Sequence, residues 1–193
     1  NILSSYLHFR IDLTSDKRFT ISESSKNILK NLNDTIKITF YLDGDLPLAF
    51  SRLKKSTIDI LEEFDEYSDG KLLWTFTSPK DNKKNAEKDQ IDYLIKIGIK
   101  PFTIQEKGEG GKIVQKVIFP GAEISNSEKF TSINLLRNRK GSDPEQMIHS
   151  SIQNIEYEII NAIHRLNKRR FDKIGIITGH GELDRNQTAS AER

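Results

Sequence analysis

Between Ile36 and Thr77 the hydrophobic period changes twice, and no other feature narrows the possible folds as much. Ile36, Ile38, Phe40 and Leu42 alternate with Lys37, Thr39 and Tyr41, the period of a strand. After the turn Asp43-Gly44-Asp45 and Pro47, apolar positions fall at Phe50, Leu53, Ile60, Leu61 and Phe64, with Thr57 in the same stripe, the period of a helix with one buried face. Asp69-Gly70 ends that run. Leu72, Trp74 and Phe76 then alternate with Leu73, Thr75 and Thr77. A strand, a helix and a second strand in this order predict a right-handed crossover. It lays residues 36–42 and 71–77 side by side in parallel, with helix 48–67 packed on them and Trp74 largely buried.

The flanking segments extend this unit. Ser22 is placed to cap a short helix with Ile21 as its staple, and Ile28, Leu29 and Leu32 form that helix's apolar face. A helix carrying Ile91, Leu94 and Ile95 is expected to stop at Gly98, before Pro101. The pattern then turns to β: one hairpin on either side of Gly108 to Gly111, and a second around Asn126. Asp143-Pro144 opens the longest predicted helix, about Glu145 to Lys168, whose stripe is Ile148, Ile152, Ile155, Ile159, Ala162 and Leu166. The result is an α/β fold, a mixed sheet flanked by helices, in the thioredoxin-like succession β-α-β-α-β-β-α with an extra hairpin. The 193 residues divide into an arm and short helix at 1–33, the α/β domain at 34–171, and residues 172–193. This last stretch reads as the first strand and loop of a truncated second domain. Its apolar strand Ile174 to Ile177 has three outcomes open to it, folding back along the edge of the first domain, pairing with the same strand of another copy to give a homo-oligomer, or staying disordered, and pairing is the favoured ordered one.

Composition removes several kinds of chemistry. With no cysteine, disulfide exchange, thiolate catalysis and Cys-based metal sites are excluded. A formal net charge of +2 supplies no field for nucleic acid, and the basic stretches Arg137 to Lys140 and Arg165 to Lys173 have no aromatic series beside them. No apolar run reaches the ~18 residues of a membrane span. Neither a cofactor nor a metal is expected. His8, His149, His164 and His180 have no metal-site spacing, with His149 and His164 placed on one long helix, four turns apart. Gly108, Gly110 and Gly111 lie between strands, where no helix N-terminus stands behind them to hold a phosphate. Two loops are candidate ligand sites. Asp43 and Asp45 flank a glycine as in cation loops, but the remaining ligands of a calcium loop are missing and a plain turn explains them. His180 and Glu182, in Gly179-His180-Gly181-Glu182, follow the last strand and offer an imidazole and a carboxylate. No nucleophile accompanies them, so no catalytic residue is assigned.

Three segments carry a family resemblance as a set: FRIDLTSDKRFTIS at Phe9–Ser22, YLDGDLP at Tyr41–Pro47, and IEYEIINAIHRLNK followed by KIGIITGHGEL within Ile155–Leu183. In order and spacing the chain resembles the extracytoplasmic region of GldG-like auxiliary proteins of gliding-motility ABC transporters of Bacteroidetes. The resemblance implies a membrane helix just before Asn1 and another beyond Arg193, a periplasmic location, and a permease and an ATPase as partners. It implies no catalytic residues. Related domains in intraflagellar transport proteins suggest an interaction scaffold as readily as a solute receptor. The expectation is a non-enzymatic auxiliary subunit acting by protein–protein contact; the alternatives are a solute-binding domain for the transporter and a degenerate enzyme using the Gly-His-Gly-Glu loop.

Overall fold

Local chemistry starts the first described helix, α1 (Glu23–Lys30). The Ser22 side chain accepts a hydrogen bond from the Ser25 backbone N–H at 3.2 Å, the expected N-cap, and Leu29 and Leu32 are buried beneath it. The structure is a computed structural model that describes residues 20–79, 84–107, 113–136 and 144–167. The arm at 1–19, the glycine-rich hairpin tip, the stretch Arg137 to Lys140 and everything from Lys168 onward lie outside the described residues.

Strand β1 (Ile36–Phe40) pairs in parallel with β2 (Leu72–Phe76), and Ile36, Ile38 and Phe40 face Leu72, Trp74 and Phe76 in register. The crossover is α2 (Leu48–Tyr67), with Pro47 at its N-cap and all six residues of its predicted stripe buried. On its other side β1 pairs antiparallel with β5 (Gly121–Ser125), which pairs antiparallel with β6 (Phe130–Asn134). The four-stranded sheet therefore runs β2-β1-β5-β6, a mixed sheet flanked by helices. Helix α3 (Lys84–Lys96) ends at Gly98, whose φ is +89°, while Ile99 N–H reaches back to the Leu94 carbonyl at 2.9 Å. Leu94 is buried, but Ile95 is exposed and contributes nothing to the core. The first hairpin, β3 (Phe102–Lys107) and β4 (Ile113–Ile118), forms a separate two-stranded sheet. Only its base joins the core, through Ile118 and the half-buried Phe102 and Ile104.

Two expectations are corrected. The helix predicted over 145–168 is two helices, α4 (Pro144–Ile152) and α5 (Ile155–Asn167). The break lies at Gln153-Asn154: the Asn154 N–H tightens onto the Ser151 carbonyl at 3.0 Å, and its side-chain amide donates to the Ser150 carbonyl at 2.6 Å. A short polar side chain thus competes with the helical backbone and starts a new helix. The apolar stripe survives the break, with Ile148, Ile155, Ile159, Ala162 and Leu166 buried. Trp74 is half-buried, because β2 is the terminal strand of the sheet. Its ring meets Phe76 edge-on at 6.1 Å, and its Nε1–H reaches out to Asp65 Oδ2 at 3.0 Å.

Gly121 sits where β5 is closest to its neighbours: a Cβ there would lie 2.7 Å from both the Ile133 carbonyl oxygen and an Ile99 methyl. Gly121→Ala is expected to lower stability by about 1–3 kcal/mol through overpacking. Phe64→Ala, at a fully buried position, is expected to cost about 3–5 kcal/mol. Urea unfolding midpoints check both, and a Gly121→Ala midpoint equal to wild type would refute the close approach.

Candidate functional site

Parallel strands end on the same side, so the segments leaving β1 and β2 face each other beyond the sheet. After β1 come the buried Tyr41 and Leu42 and then the turn Asp43-Gly44-Asp45; after β2 come Thr77, Ser78 and Pro79. Thr77 N–H still donates to the Phe40 carbonyl at 2.8 Å, holding the two exits together. A third wall is supplied by β4 and Phe119. Between them lies a cleft of about 90 Å³. Gly44 turns with φ +92°, and its Cα faces Ser78 so closely that a Cβ would come within 3.2 Å of the Ser78 hydroxyl.

Both predicted loop carboxylates line this cleft, and each meets an ammonium group that its sequence neighbourhood does not announce. Lys54, on α2, places Nζ 2.6 Å from Asp43 Oδ1 and also lies 5.2 Å from the centre of the Phe76 ring. The same Asp43 oxygen accepts from Gly44 N–H at 2.7 Å. The Lys54 hydrogen bond, and after it the Gly44 N–H, hold the Asp43 carboxyl below the usual carboxylate range. Lys116, on β4, donates to Asp45 Oδ2 at 2.7 Å. Carboxylates engaged by lysines make a poor cation loop. Among the described residues no group of three or more His, Asp or Glu side chains is arranged to hold a metal ion. His149 and His164 lie on separate helices, α4 and α5, which corrects the single helix expected for them. His180 and Glu182 lie outside the described residues.

A second polar cluster was not anticipated. Tyr93 of α3 donates to Glu123 Oε2 of β5 at 2.8 Å, and that bond pushes its phenol up to about 12. Burial first, and then the Glu123 charge and hydrogen bond, raise the Tyr41 phenol as well. Both phenols therefore stay protonated at neutral pH, and the Tyr93 hydroxyl, donating to Glu123, pins α3 to the sheet. A third feature is an open groove of about 390 Å³ between α1 and α5, floored by Ile28 and Ile160 and rimmed by Tyr157 and His164. At its end, Glu156 Oε1 accepts from Ser22 N–H at 2.8 Å and from the Ser25 hydroxyl at 2.6 Å.

The described residues thus define an α/β domain with a small, charge-neutralised cleft at the carboxyl ends of its parallel strands. Residues 15–125 match the family described as a domain of unknown function, DUF7088, and the chain belongs to that family. An uncharacterized protein of Borreliella burgdorferi is 27% identical over 176 residues, which is 91% of this chain but 30% of that protein. The chain thus spans under a third of this relative. No solved structure matches. No helix among the described residues is long and apolar enough to cross a membrane.

Asp43 and Tyr93 set opposite pH limits. Asp43, with its folded pKa depressed, contributes stability above the ordinary carboxylate range near ~4 and loses it as pH falls through the folded value. Asp43→Asn is expected to flatten the acid limb of the stability curve, measured by urea midpoints below about pH 4. Tyr93, raised to about 12, contributes below the ordinary phenol value of ~10 and loses that contribution as pH climbs through 12. In a phenolate absorbance titration, Tyr93→Phe is expected to remove a late-titrating tyrosine; an unchanged late phase would refute the Glu123 bond.

Proposed function

We propose that this domain is a non-catalytic periplasmic contact domain of an ABC transporter auxiliary subunit, working by protein–protein contact with the transporter's permease and ATPase assembly. The observation that carries the contact role is the β3–β4 hairpin. It forms its own sheet, and β4 presents Ile113 at 71% exposure with Val114 and Val117 also exposed. β-branched apolar side chains grouped on one strand, away from the core, suit burial against a partner. The resemblance of three segments to GldG-like proteins supports the placement in a transporter complex and the link to gliding-type machinery. The succession of elements, with β1, β2 and β6 parallel and β5 opposed, supports the thioredoxin-like reading of the fold. The size of the cleft also favours contact over solute capture: about 90 Å³ is well below the ~300–1,000 Å³ of sites that enclose drug-sized ligands.

The test is co-purification of the full-length protein with its permease and ATPase from detergent-solubilised membranes. Wild type is expected to retain both. The double variant Ile113→Asp/Val117→Asp is expected to lose them by about tenfold or more, while keeping its thermal midpoint. Failure of the wild-type protein to retain either subunit would overturn the transporter assignment, and undiminished retention by the double variant would overturn the role of the hairpin.

A further inference from the structure

One face of the four-stranded sheet is only half covered. The core lies on the face of Ile36, Ile38 and Phe40, beneath α2 and α5. On the opposite face, α3 and the residues just after it hold one end: Leu94 and Ile99 pack with Tyr41, Tyr93 bonds to Glu123, and the Ser132 hydroxyl donates to the Ile97 carbonyl. At the other end, where β1 begins, a row of direct partners crosses all four strands: Phe130, Ser125, Lys37 and Leu73. Direct partners share a face. Phe130 is 55% exposed and Leu73 is 51% exposed, on either side of an exposed Lys37 that has no hydrogen-bond or ion-pair partner among the described residues. The chain leaves α5 at this same end. Asn33, just ahead of β1, donates to Asn167 Oδ1 at 3.0 Å, and Asn126, in the β5–β6 turn, donates to the Leu166 carbonyl at 3.4 Å. The sequence that follows Asn167 is Lys168-Arg169-Arg170-Phe171-Asp172-Lys173-Ile174.

We propose that the uncovered half-face is a docking surface for this chain's own segment 168–178, which folds back across the strands from β6 to β2. Arg170 lies over the Phe130 ring, Asp172 meets the Lys37 ammonium, and Ile174 covers Leu73. Residues two apart in an extended chain share a side, so these three face the sheet together. Each supplies what the surface residue lacks: a cation for an aromatic face, a carboxylate for an unpaired ammonium, and apolar area for an exposed leucine. The reach suffices. Arg170, Asp172 and Ile174 stand three, five and seven residues beyond Asn167, or about 10, 17 and 23 Å of extended chain. The row from Phe130 to Leu73 spans three strand spacings, about 14 Å. The order of the three contacts along the segment is also the order of the strands outward from the Asn126 turn. This assignment selects folding back over pairing between copies. It concerns a different surface from the β3–β4 hairpin and does not rest on the transporter reading.

The test uses the full 193-residue chain, which has no cysteine of its own. The double variant Leu73→Cys/Ile174→Cys is treated with a bismaleimide spanning about 10 Å, the separation of packed β layers. Cross-linking within one chain is expected to run at least about tenfold faster than in the control Glu62→Cys/Ile174→Cys, whose first site lies on α2 across the sheet. Adding Lys37→Glu is expected to slow the Leu73→Cys/Ile174→Cys reaction about two- to fivefold, the range of an exposed ion pair. Adding Asp172→Lys as well is expected to restore it. All these sites on the folded domain are exposed, and the circular dichroism of each variant is expected to match that of wild type. Equal rates in the test and control pairs would overturn the proposal. Cross-links formed only between chains would place a second copy on the face and overturn it too. A rate indifferent to Lys37→Glu, or not restored by Asp172→Lys, would overturn the pairing of Asp172 with Lys37 and with it the proposed path of the segment.

Discussion

Everything else in this domain follows from the parallel pairing of β1 with β2. Parallel neighbours cannot be joined by a tight turn, so a long crossover is compulsory, and here it is the 20 residues of α2. That crossover lays Phe50, Leu53, Leu61 and Phe64 over Ile36, Ile38 and Phe40, and the core forms between them. Where the pair ends, Phe40 and Phe76 stack with ring centres 4.8 Å apart. The same parallelism brings the two departing loops to one side of the sheet and thereby creates the cleft. The position of Asp43 and Asp45 is a consequence of strand direction, and their chemistry is set by which lysines the neighbouring elements deliver.

The second half of the chain completes the sheet with antiparallel geometry. β5 and β6 extend it on the free side of β1, and α5 covers β6 with Ile155, Ile159, Ile163 and Leu166 buried against the same core as α2. The DUF7088 match stops at Ser125, yet β6, α4 and α5 share that core. The β3–β4 hairpin departs from this economy. Its tenure in the fold rests on a few apolar residues at its base, while Ile113, Val114 and Val117 of β4 are exposed.

Much of this architecture was legible in the sequence because it rests on local periodicity. Ile36, Ile38 and Phe40 announce a strand, the Phe50 to Phe64 stripe announces a helix, and Ser22, Asp69 and Gly98 mark ends through their own backbone chemistry. Features that depend on distant neighbours were not legible. Trp74 looks like a core residue until the sheet order places β2 at the rim. The break at Asn154 is hidden because the apolar stripe continues on both sides of it, although an Asn between two helical runs is a cap-forming signal. At the cleft the carboxylates were found but not their partners, since Lys54 and Lys116 lie 11 and 71 residues away from Asp43 and Asp45. Tyr93 and Glu123, 30 residues apart, gave no sign of each other.

The first and last described helices are tied together over a great length of chain. Glu156 receives both Ser22 and Ser25, Asn33 donates twice to Asn167 Oδ1, and Asn167 donates back to the Asn31 carbonyl at 3.1 Å. These clasps join residues more than 130 positions apart, so their loop-closure entropy is met only once nearly the whole domain is available. During synthesis, α1 and the β1-α2-β2 unit emerge first and must wait for α5 before the α1 cap is complete. The nascent domain therefore spends its early life with one flank of its core uncovered, and the order in which the chain is delivered governs how long that exposure lasts.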